Sequence, residues 1–331
     1  MYSILLLSLV PATLWANVLL IVLGAAVILW GADRLTAGAA ALAGRMGISQ
    51  MVIGLTIVAM GTSMPEFCVS LVSALKGTPD LAVGNVVGSN VFNSLLIVGC
   101  AAMLAPMTIL HSTVRKDIPF ALVASILLFM MCLDGGISRL DAFVLAAFFV
   151  LFMVITLKGA KQPNAVADTA ADRSTAGEGH LGMSPFKAIA LVLLGLLCLI
   201  VGSNVFVDNA SSVASALGVS DAVIGLTVVA MGTSLPELAT SMVAAHKGNS
   251  GIAIGNVLGS NVFNILFILG LTGLICPMRI EGITTIDLSM MVVSMILLWL
   301  FSYTKYTLAR WEGAVLTTIF IGYLGYLVVN A

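Results

Sequence analysis

The chain contains part of itself twice. V-I-G-L-T-I-V-A-M-G-T-S-M-P-E, ending at Glu66, returns as V-I-G-L-T-V-V-A-M-G-T-S-L-P-E, ending at Glu237, and each copy leads at the same distance into G-N-V-x-G-S-N-V-F-N, at 84–93 and 255–264. The offset is 171 residues throughout, and aligning 51–99 on 222–270 leaves 31 of 49 pairs identical. Two helices that merely share an apolar composition do not agree to that degree, so the chain is an internal duplication. Each copy carries one glutamate inside an otherwise hydrophobic segment.

The medium follows from composition. Of 331 residues, 60% are hydrophobic and only 9% charged, with a mean hydropathy of +1.14, whereas a soluble domain carries about 25% charged residues. A helix that spans a bilayer needs about 20 mostly apolar residues. Ten segments qualify: 14–35, 47–75, 80–105, 117–133, 140–158, 186–210, 220–246, 251–275, 286–303 and 311–329. Their apolar runs are long and unbroken, without the period-two alternation of barrel strands. The expected fold is an all-α polytopic membrane protein.

The one hydrophilic stretch, 159–185, reads as a linker between a first half, 1–158, and a second, 186–331. Five spans per half is an odd number, so the second copy enters the membrane from the opposite side. Such an inverted repeat places a substrate site near the bilayer midplane. With the N-terminus outside, eleven Lys and Arg residues fall in inner loops and only Lys76, Arg139 and Arg279 remain outside. Both termini are therefore expected outside and the linker in the cytoplasm. The first sixteen residues are apolar without a basic n-region, and no cleavage is expected there. The five cysteines lack metal-ligand spacing and read as small core residues, and a net charge of -1 with no basic patch points away from nucleic acid.

Only Glu66 and Glu237, among fifteen acidic residues, sit near the middle of long apolar spans; Asp33 and Asp208 lie closer to span ends and read as interfacial. A carboxylate at that depth costs about 2.5–3.5 kcal/mol on insertion scales, so two at equivalent places need a compensating partner. The sequence offers no deep Lys or Arg. A cation from solution, or protons when it is absent, is the expected partner. Pro65 and Pro236 lack an N–H, so the carbonyls of Gly61 and Gly232 are expected to lose their helical donor. Thr62 and Ser63 share the helix face of Glu66, as Thr233 and Ser234 share that of Glu237; Ser89 with Asn93, and Ser260 with Asn264, are spaced four apart on the following spans. The set is all oxygen, which suits hard cations such as Ca2+, with about 6–8 oxygen ligands, better than zinc or copper.

With these residues in place, G-T-S-x-P-E followed by G-N-x-x-G-S-N-x-x-N, twice in inverted halves, resembles the alpha-repeats of the cation/calcium exchanger superfamily, and most of all its prokaryotic sodium/calcium exchangers. The resemblance implies that Glu66 and Glu237 bind calcium with the Thr62 and Thr233 carbonyls. It further implies that Ser63, Ser234, Ser89, Ser260, Asn93 and the Ala59 and Ala230 carbonyls help form sodium sites, and that the first and sixth spans slide. Some relatives carry aspartate at the position of Asn264; with Asn in both repeats, potassium co-transport is not expected. The activity implied is sodium-coupled calcium antiport by alternating access in a bacterial or archaeal plasma membrane, with no cofactor and no obligate protein partner.

Three other readings make different demands. A proton/calcium exchanger usually shows G-N-x-x-E in place of G-T-S-x-P-E. An intramembrane enzyme would need something like H-E-x-x-H or G-x-S-x-G, and His111, His180 and His246 are isolated. A cation channel usually forms its pore from rings of subunits or long filters. The bland alternative, that Pro, Gly, Asn and Ser only kink and pack helices, accounts for the small residues but leaves the two glutamates without a partner.

Overall fold

The computed structural model describes residues 2–160, 183–217 and 230–330. Most of the expected linker, 161–182, and the first part of the seventh span, 218–229, lie outside the described residues. The long apolar runs become helices. In chain order these are α1 (Tyr2–Met46), α2 (Gln50–Thr62), α3 (Met64–Leu75), α4 (Pro79–Leu104), α5 (Ile118–Cys132) and α6 (Arg139–Gly159) in the first half. The second half has α7 (Pro185–Ala216), the short α8 (Ala230–Gly232), α9 (Leu235–His246), α10 (Ser250–Ile275), α11 (Thr285–Tyr303) and α12 (Arg310–Asn330).

Seven of the described helices are long and apolar enough to cross a membrane, and the bent pair α2–α3 makes an eighth. Of the other two expected spans, one is α5, extended at its start by a π-helical turn at Thr113–Asp117, and the other lies partly outside the described residues. Helix α1 runs well past the expected end at 35: Ala37, Ala39, Ala40, Leu42 and Ala43 are buried, so the segment expected to be a loop is packed instead.

The duplication is visible in the packing. α4 lies against α12 and α10 against α6, equivalent pairings that each cross between the halves, and α5 and α11 likewise pack on one another across the repeats. Outside the helices, β1 (Met107–Thr108) pairs antiparallel with β4 (Thr307–Leu308), and β2 (Gly136–Ile137) with β3 (Met278–Arg279). β1 and β3 are 171 residues apart, as are β2 and β4, so each clip joins one half to the other.

The centre belongs to α4 and α10. Their most apolar stretches are 78% and 94% buried in protein, against 17% and 28% for α1 and α7, which lie at the periphery and pack chiefly along one another. Small residues make these approaches. A Cβ on Gly195 would come within 2.6 Å of the Leu35 backbone nitrogen, and one on Gly255 within 2.7 Å of the Met51 carbonyl, so neither the α1–α7 nor the α2–α10 contact tolerates a side chain there.

Candidate cation site

Each glutamate stands where a spanning helix breaks and restarts. Between α2 and α3 the axis bends by 47°, and Ser63 leaves helical geometry with φ -83° and ψ 9°. Ser234 does the same before α9, at φ -90° and ψ 7°. Pro65 and Pro236 therefore sit in the first turn of a new helix, where a missing N–H costs nothing. The helix breaks beside the proline, where the helical donor was expected to be lost, and restarts at once. Glu66 and Glu237 fall in those same first turns, where unpaired N–H groups and the helix dipole favour negative charge.

The carboxylates are buried, each with 1% of its surface exposed, and each is held by the opposite repeat. The Ser63 hydroxyl donates to Glu237 Oε1 at 2.8 Å, and the Ser234 hydroxyl to Glu66 Oε1 at 2.8 Å. A serine at a helix start ordinarily turns its hydroxyl onto the new helix. Here neither does, and the hydroxyls cross between halves. Ser234 also reaches Ser89 Oγ at 3.2 Å, and Ser260 approaches Glu237 Oε1 at 3.5 Å. Thr233 interacts with Glu66 and Thr62 with Glu237. The buried Thr62 hydroxyl lies within hydrogen-bond distance of the Val58 and Ala59 carbonyls and of Asn256 Oδ1. The Ala59 carbonyl also takes the Ser63 N–H at 3.0 Å. Ala230 opens α8, the point at which the described chain resumes.

Asn93 and Asn264 occupy π-helical stretches, Phe92–Ile97 and Phe263–Leu269, inside the two central helices. Such bulges turn a side chain away from the regular helix register. Asn93 Nδ2 donates to Asn261 Oδ1, and Asn264 Nδ2 to Asn90 Oδ1, both at 3.1 Å. Four buried acceptors are then left without a partner among the described residues: Glu66 Oε2, Glu237 Oε2, Asn93 Oδ1 and Asn264 Oδ1. They form two equivalent pairs. An unsatisfied buried acceptor costs about 1–3 kcal/mol, and more when charged, so each of the four calls for a donor or a positive ligand.

Sequence reasoning left out a second layer. Asn85 Nδ2 donates to the Glu66 carbonyl and to Ser70 Oγ, and Asn256 Nδ2 to the Glu237 carbonyl and Ser241 Oγ. These bonds tie the first turn of each restarted helix to the neighbouring central helix. The signal was present, because Asn85, Asn90, Asn256 and Asn261 are repeated inside G-N-V-x-G-S-N. Among the described residues no group of three or more His, Cys, Asp or Glu side chains gathers into a metal cluster.

The family model described as sodium/calcium exchanger protein matches residues 16–158 and again 187–329, two stretches that are themselves 171 residues apart. The chain belongs to the sodium/calcium exchanger family. It is 37% identical over 307 residues to the putative antiporter CaxA of Alkalimonas amylolytica, covering 92% of this chain and 96% of that one. It is also 34% identical over 342 residues to the sodium/calcium exchanger MaX1 of Methanosarcina acetivorans, covering 93% and 97%. Its fold matches a solved structure of the sodium-calcium exchanger NCX_Mj, soaked with zero Na+ and Ca2+, with a TM-score of 0.80 and 30% identity over 94% of this chain and 98% of that one. As a member of this family the chain is a multi-pass membrane protein of the antiporter type, and its relatives are exchangers rather than enzymes.

Proposed function

We propose that the chain exchanges sodium for calcium across a plasma membrane, both ions using the cluster around Glu66 and Glu237 in turn. The observation that carries this reading is the set of four buried, unpartnered oxygens, two carboxylate and two amide, on side chains whose hydrogen-bond partners are serine hydroxyls and asparagine amides. An oxygen cage with two negative charges suits Ca2+, and the serines, threonines and asparagines around it provide further oxygens for smaller monovalent ions.

Exchange by alternating access fits an inverted repeat with its site between the halves. Ser63 and Ser234, each bonded to the other half's glutamate, make the site a property of both repeats together. When the cation leaves, the two carboxylates face one another's field without compensation. An unloaded return is thereby penalised, and movement is coupled to occupancy. Both termini face outward in this reading, the 159–185 linker joins two transmembrane halves on the cytoplasmic side, and no cofactor takes part.

The test is calcium-45 uptake into proteoliposomes preloaded with sodium and diluted into sodium-free buffer at equal pH, with Glu66→Gln alongside. Uptake that needs internal sodium and vanishes in the variant is the expected result. Uptake that ignores sodium but follows an imposed pH gradient would transfer the reading to proton/calcium exchange. Ion flow down a gradient without a counter-ion would indicate a channel.

A further inference from the structure

We propose that Asn261 and Asn90 are positioning residues that decide which end of the Asn93 and Asn264 amides faces the cation. An asparagine amide has one end that attracts a cation and one that repels it, and the two are nearly the same size. Burial of Asn93 and Asn264 therefore does not by itself make either a ligand. Something must prevent the NH2 from turning inward.

The hydrogen-bond directions supply it. Met295 Sδ has no proton to give, so the Ser94 hydroxyl, 3.2 Å away, must be the donor in that contact. With its one proton committed, Ser94 Oγ accepts from Asn261 Nδ2 at 2.7 Å. Asn261 Oδ1 then faces Asn93 and takes its Nδ2 at 3.1 Å, leaving Asn93 Oδ1 unpartnered among the described residues. The second chain ends on a different acceptor. Asn90 Nδ2 donates to the Asn261 backbone carbonyl at 3.2 Å, Asn90 Oδ1 takes Asn264 Nδ2 at 3.1 Å, and Asn264 Oδ1 is left unpartnered. Each relay begins at an atom that can only accept, and each delivers a bare oxygen. Asn90, Asn261 and Ser94 are buried to 1% exposure or less, so water does not reset the direction.

The two relays are not copies. Position 94 is serine, whereas its equivalent, 265, is isoleucine, so only Asn261 has a hydroxyl to bind, and Asn90 relies on the backbone instead. The first relay is accordingly the one that side-chain substitution reaches without touching the cage. This deepens the proposed function, since it takes the cluster to be an ion cage.

The experiment measures the concentrations of calcium and of sodium at half-maximal exchange in proteoliposomes. Asn261→Leu, which removes the acceptor for Asn93 at nearly constant volume, is expected to raise at least one of them about tenfold, in the range seen when outer-shell partners of metal ligands are removed. Adding Asn93→Asp to that background presents an oxygen at either end of the side chain, so it should restore the value to within about threefold of wild type. Asn264→Asp in the same background should not restore it. A merely structural Asn261 would be insensitive to the chemistry at 93, so failure of Asn93→Asp to rescue, or wild-type affinities in Asn261→Leu, overturns the proposal. If Asn261→Leu does not fold, Ser94→Ala against Ser94→Thr serves: loss with alanine and recovery with threonine is expected, and equal behaviour of the two overturns it. Wild-type vesicles run alongside report on sodium/calcium exchange itself. Were they inactive, ion-dependent thermal stabilisation of the same variants would decide the positioning claim separately.

Discussion

The two repeats share a motif almost letter for letter, yet their surroundings differ on the two sides of the site. α1 packs along α9, the restarted helix of the second repeat, whereas the equivalent pairing of α7 with α3 is not formed to any comparable extent. At one end of the first contact Lys247 Nζ reaches Asp33 Oδ1 at 2.5 Å and the Asp33 carbonyl at 3.3 Å. The equivalent residues on the other side are Lys76, also a lysine, and Asn204, which carries no charge, and both are exposed. Inverted symmetry in sequence thus does not give a symmetric molecule. In the alternating-access reading proposed above, the packed α1–α9 seam and the sparsely packed α7–α3 seam would change places in the opposite arrangement.

That comparison can be broken most severely at what the repeats share. Glu66→Gln and Glu237→Gln should each reduce calcium transport about 30-fold or more, because removing one charge from a buried ion site costs about 2–5 kcal/mol. Calcium-45 uptake with protein recovered at normal yield would check it. If only one of the two variants is inactive, the repeats are unequal at the site itself. Gly195→Leu comes next: the side chain has no room against α1, and overpacking of this kind costs about 1–3 kcal/mol. A lower thermal midpoint in detergent is expected, and an unchanged midpoint would mean that α1 and α7 separate freely.

Smaller effects sharpen the asymmetry. Asp33→Asn makes the α1 end resemble that of α7, and a partly exposed ion pair contributes about 0.2–1 kcal/mol, so the balance between the two proposed arrangements should shift by up to about fivefold. The ratio of apparent calcium affinities measured from the two membrane faces reads it. Asn204→Asp, which offers Lys76 a carboxylate, should shift the same ratio by about the same factor in the opposite direction. Shifts of the same sign in both variants would show that the ion pair is not what separates the seams.

Much of this was legible in the residues. Ten apolar segments, the 171-residue offset and the two lone glutamates required an all-helical membrane protein with equivalent halves, because a bilayer leaves few ways to satisfy a backbone and fewer to keep a carboxylate. G-T-S-x-P-E also announced a break beside each glutamate, since proline and glycine act locally. What the chain did not announce depended on partners carried by other helices. That Ser63 serves Glu237 and Ser234 serves Glu66, that Asn85 and Asn256 hold the restarted helices, and that Ser94 and Met295 orient Asn261 are all contacts made between different helices.

The sequence by itself determined the medium, the duplication and the residue types able to meet a cation. These rest on hydropathy, spacing and local backbone chemistry, which each segment carries alone. Only the tertiary structure decided which oxygens are left bare, and which of two equivalent seams is closed. Hydrogen-bond direction and helix packing are properties of pairs, and identical motifs can be paired in more than one way.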